Sequence, residues 1–222
     1  MKKKQNIILR VWRHIIRIFS AKSTESPEER KKKEDYEFLV SHGVETEYGN
    51  VCLLGTPIIK KYQNSRIVLG KGITLISDSQ YNTAGVNHPV ILATEAEGAE
   101  IHIGDGVGMS GTSVVAVKKV TIGDYTMLGV NTNVYDTDFH CVDAEKRKAQ
   151  TSIIEANSAP IVIGKNVWVG ANSTILKGVE IGNDVVVGAQ SLVNRSMPNG
   201  VLCAGNPASV KKDNLKQSKS YN

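Results

Sequence analysis

Ile163, Val169, Ile175, Ile181, Val187 and Val193 recur at strict six-residue intervals, and Gly164, Gly170, Gly182 and Gly188 directly follow four of them. A second row, Val167, Ser173, Val179, Val185 and Ser191, stays small or β-branched four places after each large residue. The same grammar recurs upstream as Ile103, Met109 and Val115, then one residue out of step as Ile122, Leu128 and Val134, with a fainter copy at Leu69, Leu75 and Tyr81. A period of six matches neither an amphipathic helix nor an alternating hairpin strand. It does match a short strand followed by a corner, repeated so that one bulky side chain per side points inward. Three sides make a coil of roughly 18 residues, and parallel coils stack into a prism in which each lends its backbone and apolar face to the next. Gly, Asn and Asp at the corners allow the tight backbone there. Each large aliphatic buried this way contributes roughly 1.5 to 3 kcal/mol. The period predicts an all-β parallel helix with a triangular section and leaves its handedness open.

A chain of 222 residues is long enough for one such domain with modest extensions. The formal charge of +5 is carried by Met1 to Val40, which holds 11 Lys/Arg against 6 Asp/Glu, while the rest of the chain balances at 16 of each. The body therefore lacks the single-sign field that gathers phosphate backbones, and nucleic acid is not an expected partner. Cys52, Cys141 and Cys203 are widely spaced with no CxxC pair, which fits a reduced, cytoplasmic protein.

The boundaries read as a basic amphipathic helical extension and linker over 1–40, the β-helix over 41–212 and a disordered tail over 213–222. In the extension, Arg10, Arg13, His14 and Arg17 share one helical side and Ile8, Val11, Trp12, Ile15, Ile16 and Phe19 the other. The charges within Ile7–Phe19 exclude a membrane span or signal core. Residues 1–20 are then either an interfacial helix giving peripheral contact with an anionic membrane face or a helix packing on its own oligomer.

The six-residue pattern stops between Val134 and Ile161. Long patternless insertions in a compact repeat are usually functional. This one, a loop at about 135–160, holds Asp136, Asp138, Phe139, His140, Cys141, Asp143 and Arg147. If the start of the loop stays extended, Asp136, Asp138 and His140 share one face and Cys141 points away. Asp-x-Asp-x-His could supply three metal ligands, yet the five histidines are never closer than 14 residues, so no metal is expected.

Asn166-Val167-Trp168-Val169-Gly170 and Ala204-Gly205-Asn206-Pro207-Ala208, together with His140-x-x-Asp143-x-x-x-Arg147, resemble the hexapeptide-repeat acyltransferases over roughly residues 101–212. The nearest branch is that of galactoside, maltose, capsule, lipopolysaccharide and nodulation-factor sugar O-acetyltransferases. The resemblance implies a left-handed parallel β-helix, acetyl-CoA as co-substrate without a required metal, and a homotrimer with sites between neighbouring prisms. It implies transfer of acetyl to a sugar hydroxyl, with His140 as the base because neutral imidazole accepts protons near neutral pH. Asp138 is a candidate to orient the ring or touch the acceptor. Cys141 stands where the family commonly has proline, so direct transfer is favoured over an acyl-cysteine.

By the same resemblance, Trp168 flanks the pantetheine, Gly170 and Ala171 lie near the thioester, Ala189 faces the pantetheine amides, Pro207 the adenine and Lys212 the phosphates. Ser209 replaces an arginine of some relatives, with Lys177, Arg195 or Lys211 as substitutes for its phosphate contact. Asp136, Ser110 and Thr112 are acceptor-side candidates. An N-acetyltransferase of a nucleotide-linked amino sugar and a non-catalytic β-helix scaffold are the alternatives.

Overall fold

The computed structural model describes residues 25–213. The expectations placed on residues 1–20, and on the tail after Asp213, lie outside the described residues. The chain divides by internal packing into Met1–Lys31 and Lys32–Asn222. The first described element, helix α1 (Pro27–Ser41), begins in the former unit and continues into the latter. Proline at its first position and Glu28 and Glu29 in its first turn are favourable N-terminal residues. Farther along, Leu39 is buried in the core and the buried Asp35 carboxylate accepts the Leu53 N–H at 3.0 Å.

The second unit is the left-handed parallel β-helix. Its strands fall into sheets of eight, six and five, visited in turn as the chain coils: Trp168–Val169, Thr174–Leu176 and Glu180–Ile181 belong to the three in that order. Pairing is parallel until Leu202–Gly205 meets the last strand, Ala208–Lys212, in an antiparallel hairpin. Stacked residues in register build the core. Leu75, Met109, Leu128, Val169, Val187 and Cys203 line the eight-stranded face. Leu92, Val114, Val134, Ile175 and Val193 line the six-stranded face. Leu69, Ile103, Ile122, Ile163 and Ile181 line the third. All are buried.

Two of the inward positions read from the sequence are corrected. Val114, not Val115, stacks between Leu92 and Val134, whereas Val115 pairs with Tyr135 on the outer side. The corner before it turns through Gly111 at φ +51°, which brings the next inward residue one place earlier than the period predicts. Tyr81 is half exposed in a 3₁₀ turn, Ser79–Tyr81. The chain leaves the prism after Ile76 and supplies that side from Leu92 instead.

The small second row has a polar logic of its own. Thr132, Ser173 and Ser191 are buried but send their hydroxyls to the Gly129 or Gly188 carbonyls at the corners, so no donor is stranded. Stacking also leaves no space at the corner glycines. A Cβ on Gly123 would lie 2.6 Å from the Gly164 carbonyl carbon and oxygen. Gly123→Ala is expected to lower stability by about 1–3 kcal/mol, read as an earlier urea midpoint. An unchanged midpoint would mean that adjacent coils can part to admit a methyl group.

Candidate active site

The strand Asn133–Tyr135 ends where the six-residue pattern ends, and the chain leaves the corner after the six-stranded face. The exit is pinched shut. Thr137 and Ser158 form an antiparallel bridge, the Asp138 N–H donates to Asn157 O, and the Ala159 N–H donates to Asp136 O. Beneath the exit, Asp136 is 0 % exposed, and its carboxylate accepts the backbone N–H groups of Val117, Lys118 and Lys119 at 2.7, 2.7 and 2.8 Å. Burial pushes its pKa up, opposed by those three donors and by the Lys118 charge.

Asp136, Asp138 and His140 do not share one face. Phe139 has φ +61°, a conformation rare for a residue with a bulky side chain, and it ends the alternation before His140. Asp136 turns into the prism, Asp138 pairs with Lys177 Nζ at 2.6 Å, and His140 is exposed. Asp138 therefore serves the neighbouring coil through Lys177, which also removes Lys177 as a ready phosphate ligand. Cys141 is buried, its thiol donating to Glu155 O at 3.3 Å.

The spacing His140-x-x-Asp143-x-x-x-Arg147 has a folding role in this structure. Asp143 caps the short helix α2 (Ala144–Ala149) by accepting the Lys146 N–H, and Arg147 Nη1 reaches back to the Cys141 and Val142 carbonyls, both at 2.8 Å. The helix thus folds over the residues that follow His140. Between them lies a cavity of about 570 Å³ lined by Phe139, His140, Arg147, Gln150, Thr151, Ser152 and Ile153. Among the described residues, no group of three or more His, Cys, Asp or Glu could hold a metal ion.

The acceptor-side candidates do not reach this cavity. Asp136 and Thr112 are fully buried, and Ser110 is 8 % exposed. The Thr112 hydroxyl donates to Ser110 O at 3.3 Å inside the prism. The side chains of Asp136 and Thr112 are bonded to the backbone of the packed coils.

The donor-side candidates stand elsewhere, on and beside the eight-stranded face. Met127, Trp168 and Val186 are in register on its outer side, with Trp168 53 % exposed. A tryptophan left open on a flat strand surface is suited to holding a ligand or partner. The Gly170 N–H is taken by Val187 O at 2.7 Å and is not free to meet a ligand. Its lack of a side chain matters instead: a Cβ there would lie 2.4 Å from the Ala189 nitrogen. Ala171 and Ala189 follow the stacked corners at Gly170 and Gly188. Pro207 is exposed in the terminal hairpin, where Lys212 pairs with Leu202. Lys211 donates to the Ser209 hydroxyl at 2.9 Å. None of the donor-side residues lines the cavity beside His140.

Sequence comparison matches the family described as "Bacterial transferase hexapeptide (six repeats)" to residues 160–195. Galactoside O-acetyltransferase of Escherichia coli (strain K12) is 37 % identical over 125 residues, covering 56 % of this chain and 59 % of that protein. Nodulation protein L of Rhizobium meliloti (strain 1021) is 42 % identical over 115 residues, covering 51 % and 60 %. The chain thus spans less than two thirds of the length of these curated relatives. Among solved structures, AntD, an N-acyltransferase from Bacillus cereus in complex with dTDP and 3-hydroxybutyryl-CoA, is similar at a TM-score of 0.59. It is 19 % identical, with 80 % of this chain and 87 % of that one covered, a likeness of fold.

Proposed function

We propose that this chain, a member of the hexapeptide-repeat acyltransferase family, moves an acetyl group from acetyl-CoA to a sugar hydroxyl with His140 as general base. The observation that carries the reading is an exposed imidazole on a tightly tied loop, opening onto a cavity of about 570 Å³. The names of the similar proteins, a galactoside O-acetyltransferase and a putative colanic acid biosynthesis acetyltransferase of Escherichia coli among them, support a sugar acceptor.

In this reading the neutral imidazole takes the hydroxyl proton as the oxygen attacks the thioester carbonyl. The tetrahedral intermediate collapses by breaking the C–S bond, and the imidazolium returns its proton to the departing sulfur. The products are an acetyl ester and free CoA. The Ala171 N–H is the corner donor best suited to the developing oxyanion, because that of Gly170 is already committed. The apolar row of Met127, Trp168 and Val186 gives pantetheine an extended surface, with the amides near Ala189 beyond it. Pro207 and Lys212 are assigned to the adenine and the phosphates.

His140 and the donor surface belong to different sides of the prism, so the proposal includes a trimer in which a neighbouring copy supplies the acetyl-CoA groove. Among the described residues no helix is long and apolar enough to cross a membrane. Peripheral attachment through residues 1–20 is part of the proposal, as a means of working on lipid-linked glycans.

The test is CoA release with a panel of mono- and oligosaccharides. Saturable release with at least one sugar, yielding an O-acetyl product, is expected. No release above hydrolysis with any sugar, or an amide product, would refute the reading. A second variant sharpens it. Asp138→Asn is expected to keep turnover within a few-fold of wild type, since the Asp138 carboxylate answers Lys177, a partly buried pair at 2.6 Å, and no step of the proposed transfer uses it. A loss as deep as that of a His140 variant would restore Asp138 as the ring's orienting group.

A further inference from the structure

Gln150 carries no motif and stands at the C-cap of α2, yet its one carboxamide grips both peptide groups flanking His140. Its Nε2 donates to Phe139 O at 2.9 Å, and its Oε1 accepts the Cys141 N–H at 2.8 Å. The second Nε2 hydrogen goes to Ser152 O, also at 2.9 Å. Both amide hydrogens are therefore committed to the loop's own backbone and neither is left for a ligand.

The need for such a clamp lies at Phe139. A left-handed φ costs a bulky residue free energy and persists only where the surroundings over-determine it. Here the constraints converge: the Phe139 N–H donates to the Thr137 hydroxyl, its ring meets Tyr135 edge to face at 5.1 Å, and Gln150 holds its carbonyl. Arg147 then fixes the carbonyl of Cys141, next along the chain. His140 is thus held from both sides at the backbone. Among the described residues, no side chain is found hydrogen-bonded to its ring.

We infer that Gln150 is a positioning residue for His140: its carboxamide replaces the ring-orienting carboxylate of other base-catalysed sites by fixing the backbone from which the imidazole projects. This rests on the proposed role of His140 as base. Misplacing a reacting group by about 1 Å costs on the order of 100-fold in rate, so loss of the clamp should show mainly in kcat.

The experiment uses the full chain with Gln150→Ala and Gln150→Glu, the latter of the same shape but unable, when ionised, to donate to Phe139 O. Both variants are expected to lose roughly 10- to 100-fold in kcat with the KM for acetyl-CoA unchanged. In a His140→Ala background the same changes should cost nothing further. By NMR, the His140 ring resonances, assigned by their absence from His140→Ala, should shift or broaden in both variants while other histidines stay fixed. Unmoved His140 resonances, or a loss in kcat fully additive to that of His140→Ala, would overturn the inference. If wild type itself shows no His140-dependent turnover while the resonances do shift, the proposed function fails and the clamp stands as geometry. If Gln150→Ala does not fold, Gln150→Glu carries the test.

Discussion

His140→Ala should lower acetyl transfer by roughly 100- to 10,000-fold while leaving the fold and the KM for acetyl-CoA as they are. His140 is exposed, its side chain fills no core position, and it stands apart from the surface around Trp168, so truncation removes the proposed base without opening a cavity in the prism. The effect should appear in kcat, because the proton is taken only as the oxygen attacks. A variant with a wild-type kcat would exclude His140 as the base. A variant with a wild-type kcat and a raised sugar KM would instead assign it to acceptor binding.

Asp136→Ala should produce the largest loss of stability of any single change in the loop, about 3 kcal/mol or more, since it strands three buried N–H donors at about 1–3 kcal/mol each. Asp136→Asn keeps one acceptor oxygen and should cost about 1–3 kcal/mol. Urea midpoints at matched protein concentration measure both. The charge itself works the other way. Because burial raises the folded-state pKa of Asp136, its ionised form is a burden, and its contribution to stability falls as pH rises from the ordinary aspartate value to the raised one. Asp136→Asn should therefore flatten stability against pH in that acid range. A midpoint unmoved in Asp136→Ala would mean that Val117, Lys118 and Lys119 find other acceptors and that the loop exit does not depend on this carboxylate.

The fold was legible because burial in a coil repeats with the geometry of a coil. Ile163 to Val193 occupy the inward positions at every sixth residue, and the serines among the second row are where the corners need a short hydroxyl. The period misplaces residues where the chain departs from that geometry. Gly111 shortens one corner and moves the inward role from Val115 to Val114, a change that depends on one backbone angle. Tyr81 sits in an excursion whose length no local signal announces.

The site was legible in part for a related reason. His140 and its loop stood out because the repeat is interrupted there, but the interruption says nothing of which way each side chain turns. Alternation grouped Asp136, Asp138 and His140, and the positive φ of Phe139 separates them. Gln150 went unseen, and Lys177 was read as a phosphate contact, because their partners, the backbone around His140 and Asp138, come into reach only when the loop closes onto itself and onto the prism.

A crystal structure of the assembled protein with CoA and an acetylatable sugar puts the relation of base, thioester and hydroxyl to direct trial. The acceptor oxygen should lie about 3 Å from the His140 imidazole, with the CoA sulfur in the same pocket and the pantetheine running along Trp168 of an adjoining copy. CoA bound with its sulfur on a surface that no copy's His140 can reach would contradict the proposed chemistry.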